Sequence, residues 1–130
     1  MRESYNDQSN PKANKLTASD LAQFTGTEHL YQHSLARRIC YTDGAQYLAL
    51  AGEAYWLIDK IACAQLERRY VQHEFQVWTL TVNDDRSAHL VCTDGNLATI
   101  SAERIEFTDF PLPEISLYLT NNTILLPTEY

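Results

Sequence analysis

The sequence predicts an α+β domain: a mostly antiparallel sheet packed on one main apolar helix, with a short N-terminal helix before them. Three observations carry this expectation. Within residues 53–69, EAYWLIDKIACAQLERR, the positions Ala54, Leu57, Ile58, Ile61, Ala62 and Gln65 recur at three- and four-residue steps, the spacing of one helical face. Tyr55, Trp56, Cys63 and Ala64 widen that face until little of the first three turns is polar, so the helix must be wrapped. Short β-patterned runs separated by turn residues lie on both sides of it, and strands adjacent in sequence imply antiparallel pairing.

Taken in order, residues 1–15 are mostly polar, with Tyr5 as the one large apolar residue past the start, and read as a disordered tail, leaving residues 16–130 as a single domain. Thr17 or Ser19 caps a short helix, with Asp20 in its first turn, Leu21 and Phe24 on its apolar face and Gly26 at its end. Residues 27–34, TEHLYQHS, fit either a strand or a helix. Residues 36–41 and 45–50 flank Thr42-Asp43-Gly44, which predicts a hairpin with a type I′ turn. After the main helix, Trp78, Leu80 and Val82 share one face of a strand over 75–82. Phe75 and Val77 are out of phase with them and suggest a bulge or a strand covered on both sides. Further strands follow over 88–93, 97–102 and 104–108, with Asp94-Gly95 as a second hairpin turn and Ile105 and Phe107 set together. Phe110-Pro111-Leu112-Pro113 breaks the ladder, Ile115, Leu117 and Leu119 alternate with Tyr118, and Asn121-Asn122 turns the chain into Ile124-Leu125-Leu126. The echo between ICYTDG (39–44) and LVCTDG (90–95) reads as two hairpins sharing one turn chemistry.

The chain has 130 residues, a formal net charge of −7 and 8 Tyr, 4 Phe and 2 Trp, enough apolar material for a real core. Residues 74–130 carry two basic groups, Arg86 and Arg104, against nine carboxylates, so the acidic excess lies wholly there. That field disfavours nucleic acid phosphates and membrane surfaces as partners. No apolar run approaches the roughly 20 residues that span a bilayer, and MRESYNDQSNPKANK lacks the apolar core of a signal peptide, so the expected compartment is the cytoplasm. Cys40, Cys63 and Cys92 are odd in number and widely spaced, which predicts buried reduced thiols instead of a disulfide framework.

Candidate chemistry is sparse. His29 and His33, four apart, would share a face of a helix and grip one metal ion, but no third ligand accompanies them and the H-E-x-x-H pattern is absent. Asp59 and Lys60 mark a polar edge of the main helix, and the Arg37-Arg38 and Arg68-Arg69 doublets are expected to pair with the acidic C-terminal strands. No phosphate-cradling glycine loop, dinucleotide fingerprint or G-x-S-x-G elbow occurs.

The blocks FTGTEHLY (24–31), YTDGAQYLA (41–49), AYWLIDKIA (54–62), EFQVWTL (74–80) and FTDFPLPEISLYLTNNTILLPTEY (107–130) together resemble a family of small bacterial proteins defined as a domain of unknown function. The resemblance covers about residues 16–130 and implies a compact bacterial cytoplasmic domain with no cofactor and no assigned catalytic residue. The function expected is a non-enzymatic protein-interaction domain. Its surface is predicted around Tyr118, Phe110, Leu112 and Leu126, with another protein or a second copy of the chain, as a homodimer, as the partner. A small metal-dependent hydrolase using His29 and His33, and an acidic nucleic-acid mimic acting on a basic protein, are the alternatives.

Overall fold

A computed structural model describes residues 16–26 and 28–130, so the tail expected over 1–15 lies outside the described residues. Helix α1 spans Ala18–Ala22. Its start is a reciprocal capping box, with the Thr17 hydroxyl accepting from the Asp20 N–H and the Asp20 carboxylate accepting from the Thr17 N–H, each at 3.1 Å. Strands β1 (Leu30–Gln32) and β2 (Cys40–Thr42) follow, then helices α2 (Asp43–Ala51), α3 (Tyr55–Ala64) and α4 (Arg68–Val71). Strands β3 (Phe75–Val82), β4 (Ala88–Asp94), β5 (Thr99–Ile105), β6 (Glu114–Thr120) and β7 (Thr123–Leu125) complete the sheet, and a 3₁₀ turn covers Pro127–Glu129.

Among the described residues the strands form one seven-stranded sheet in the order β1-β2-β7-β6-β3-β4-β5. Every pairing is antiparallel except β2 with β7, which run parallel and are tied by the Cys40 N–H to the Asn122 carbonyl at 2.9 Å. The tight turn of type I′ character sits between β6 and β7, where Asn121 and Asn122 take φ of 53° and 57°.

The predicted hairpin over 36–50 is instead a strand feeding a helix. Thr42 is the N-cap of α2, its hydroxyl accepting from the Ala45 N–H at 3.2 Å, and Asp43 lies in the first turn. Ala45, Leu48 and Ala49 are buried at helical spacing, and the run of Ala, Leu and Gln favours helix over strand. At the second TDG the hairpin does form: Asp94 Oδ1 accepts from the N–H groups of Asn96 and Ala98, and Leu97, at φ 69°, takes the left-handed position. The same three letters therefore cap a helix once and turn a hairpin once.

The single main helix becomes a layer in which α2 and α3 share the core. Leu48, Leu57, Ile58 and Ile61 cluster with Trp78, Leu80, Leu90, Leu117 and Ile124, while Trp56 and Ile105 are half-buried against them. Tyr55 is exposed, and so is Phe107, which does not join Ile105. The helix expected over 53–69 stops at Ala64 because the backbone tightens there, with Leu66 and Glu67 N–H groups bonding back three residues to Cys63 and Ala64. Gln65 is drawn into a buried polar knot instead. It exchanges two amide hydrogen bonds of 2.9 Å with Gln76, and its Nε2 also donates to the Ile61 carbonyl. Gln76 Nε2 further reaches the carbonyls of Tyr70 and His73, and the Trp78 indole N–H donates to Gln76 Oε1 at 3.0 Å. This knot joins the ends of α3 and α4 to β3 and accounts for a fully buried glutamine on the core face.

Candidate interaction surface

Strand alternation gives the sheet two unlike faces. Gln76, Trp78, Leu80, Ala88, Leu90, Cys92, Leu117 and Leu119 point into the core. On the other face Thr81, His89, Ala102 and Arg104 are exposed, and Phe75, Val77, Thr79, Val91, Ser116 and Tyr118 are half-buried, none fully. Apart from Leu125 of β7, which sits opposite Tyr118 and is buried, that face is open to solvent. The out-of-phase Phe75 and Val77 therefore mark the second face of a regular strand, paired without a bulge to both β4 and β6.

At one end of the open face three rings meet. Phe75 lies 5.1 Å from Tyr118 between centroids, Tyr130 lies 5.5 Å from each, and the Tyr118–Tyr130 pair is edge-on at 86°. Tyr130 is 75% exposed and lies outermost of the three. The tip of the β4–β5 loop comes alongside, since a Cβ on Gly95 would stand 3.3 Å from Phe75 Cδ2. Two residues on, Leu97 is 84% exposed.

Tyr130 reaches this position through a strap anchored at two points. Leu126 is buried in the core. Glu129 places its carboxylate over the first turn of α2, where Oε1 accepts from the Thr42 hydroxyl at 2.6 Å and the Leu126 N–H at 2.9 Å, and Oε2 accepts from the Gly44 N–H at 3.1 Å. A carboxylate suits that position, because the unpaired N–H groups of a helix start carry partial positive charge. Glycine at position 44 lets the strap come this close, since a Cβ there would lie 2.6 Å from Glu129 Oε1 and 2.7 Å from Leu126 Cδ1 and both side-chain ends would have to shift.

Of the four predicted surface residues, Tyr118 alone sits in the aromatic cluster. Phe110 and Leu126 are corrected to core positions, at 0% and 2% exposure. Phe110 is drawn inward because Arg86 binds the segment from the β3–β4 turn, its Nε donating to the Thr108 carbonyl and its Nη2 to the Phe110 carbonyl. The ring packs at the end of α2, where a Cβ on Gly52 would meet Phe110 Cε1 at 2.8 Å. Leu112 is half-buried and lines an apolar groove of about 320 Å³ with Leu21 of α1, Ile115 and Leu126.

The two histidines serve different carboxylates. His29 Nδ1 stands 3.5 Å from Asp43, whose carboxylate also accepts from the Glu28 and His29 N–H groups. Desolvation of Asp43 works upward, but these backbone donors, His29 and the Tyr31 hydroxyl outweigh it and hold its pKa below the ordinary carboxylate value. His33 is buried, its Nδ1 accepting from the Leu35 and Ala36 N–H groups and its Nε2 lying 2.7 Å from Asp59 Oδ1. With Nδ1 occupied by two donors, the ring proton sits on Nε2 and is given to Asp59. Both ring nitrogens are thus engaged in hydrogen bonds within the fold. Among the described residues no three His, Cys, Asp or Glu side chains gather to hold an ion.

Two carboxylates of the acidic half form turns. Asp85 accepts from the hydroxyl and N–H of Ser87, and Asp94 from the N–H groups of Ala98 and Asn96, and in both cases these bonds hold the pKa low. Glu103 is bridged by Lys60 at 2.8 Å, not by an arginine doublet. The thiols of Cys40 and Cys63 are half-buried, that of Cys92 is fully buried, and all three are free. No helix among the described residues is long and apolar enough to cross a membrane.

A family model described as a family of unknown function (DUF6876) matches residues 15–130. No curated protein and no solved structure matches the chain.

Proposed function

The chain belongs to that family of unknown function, and we propose that it is a non-enzymatic interaction module that docks protein, a second copy of itself included, on the open aromatic face of its sheet. The observation that carries this reading is the Phe75–Tyr118–Tyr130 cluster at the solvent face, in a chain that buries Tyr70, Trp78 and Phe110 elsewhere. Clustered rings at a surface are the usual anchors of protein interfaces, because they bury much area for little lost side-chain freedom. Leu97 and the half-buried Val77 and Val91 extend the apolar character.

Catalysis finds less support. His33 has no free nitrogen, and His29 is engaged with a separate aspartate. Mimicry of nucleic acid needs a run of carboxylates spaced like phosphates, and within 74–130 Asp85, Asp94 and Glu129 are instead bonded to backbone donors and Glu103 to Lys60. The proposed setting is the bacterial cytoplasm, whose reducing conditions suit three free thiols.

Sedimentation equilibrium on the wild type and on Tyr118→Ser tests the reading. Self-association weakened by about tenfold or more in the variant, at unchanged thermal stability, is the expected result. A wild type monomeric at every concentration, or association equal in both proteins, defeats self-docking through this face.

A further inference from the structure

We propose that the strap ending in Tyr130 is a lid over the aromatic face, and that the Glu129 carboxylate on the first turn of α2 is its latch. The inference rests on the reading of that face as the docking surface. Tyr130 packs tilted against Phe75 and edge-on against Tyr118, and with the strap seated those two rings are half-buried while Tyr130 is the exposed one. Between the buried Leu126 and Tyr130, the strap is held by bonds from Glu129 to Thr42, Gly44 and Leu126. Pro127 has no N–H to add to these bonds, and the Glu129 N–H donates to the Leu126 carbonyl at 2.9 Å. The strap runs from the helix layer, where the latch sits, to the outer sheet face, where the lid sits. Releasing one carboxylate at α2 thereby frees a ring on the opposite face.

The latch needs an acceptor at both oxygens. Oε1 faces a hydroxyl and an N–H, and Oε2 faces an N–H. Glutamine is nearly isosteric but turns one oxygen into an NH₂ group, which sets donor against donor on one side or the other. Glu129→Gln therefore opens the latch without a cavity and without touching Leu126.

Hydrogen exchange and tyrosine labelling, read by mass spectrometry on Glu129→Gln and wild type, test this. Exchange at the Gly44 and Leu126 amides is expected to rise about tenfold or more, the scale of a lost charge-assisted hydrogen bond. Labelling of Tyr118 by a tyrosine-directed nitrating reagent should rise with it, while amides of β3 and β4 keep wild-type protection. Unchanged exchange at Gly44 and Leu126 overturns the latch. Faster exchange there with unchanged Tyr118 labelling overturns the lid. Neither readout requires a partner, so failure of the docking reading, seen in the Tyr118→Ser sedimentation comparison, is a separate result.

Discussion

Replacing Gln76 by leucine puts the buried polar knot to a direct test. The side chain is fully buried and accepts from the Trp78 indole N–H at 3.0 Å while exchanging two 2.9 Å bonds with Gln65. In Gln76→Leu the buried Trp78 N–H and Gln65 Oε1 are left without partners and the part-buried His73 carbonyl loses its bond, whereas Gln65 Nε2 keeps the Ile61 carbonyl and the Tyr70 carbonyl keeps the His73 N–H. Two buried orphans at about 1–3 kcal/mol each give a loss of about 2–6 kcal/mol. Better burial of leucine offsets on the order of 1 kcal/mol, so the net loss centres on about 3 kcal/mol, a large share of the roughly 5–15 kcal/mol that holds a domain folded. Equilibrium urea unfolding followed by far-UV circular dichroism measures it. The amides of Gln65 and Gln76 bond reciprocally, so Gln65→Leu and the double variant should close a non-additive cycle with a coupling of about 1 kcal/mol or more. A loss below about 1 kcal/mol, or an additive cycle, refutes the account of the knot as a mutually satisfied network.

Ile61, with no exposed surface in the α3 core, should cost about 2–5 kcal/mol on truncation to alanine in the same unfolding assay. Burial pushes the Cys92 thiol up to about 12 from its ordinary 9.0. Above pH 9 the unfolded chain releases this proton and the folded chain retains it, so stability falls from about pH 9 towards 12, and Cys92→Ala should flatten that alkaline loss in denaturant melts. Because His29 and His33 answer to separate aspartates, elemental analysis of purified protein should find no stoichiometric zinc. About one equivalent that disappears in a His29→Ala/His33→Ala variant would reverse this expectation.

Local pattern was enough to announce the class. Alternation over 75–82 and 115–119, helical spacing over 54–65 and the Thr17/Asp20 cap all reflect interactions a few residues apart, and all appear in the fold. Even the capping of α2 was written locally, in a Thr followed by helix-favouring residues with apolar positions at 45, 48 and 49, although Asp-Gly pointed to a turn. Phe75 too carried a signal in its phase, which belongs to the open face. What the tertiary structure decided depends on partners far apart in sequence. Arg86 draws in Phe110 across 24 positions, His33 finds Asp59 across 26, and Glu129 crosses 85 to cap α2 at Gly44. The candidate surface reduces to Tyr118 for the same reason. Hydrophobicity makes Phe110 and Leu126 candidates equally for a core or for an interface, and only the packing of distant segments against them selects the core. A side chain's type sets which contacts it can make, but burial is a property of the assembled chain.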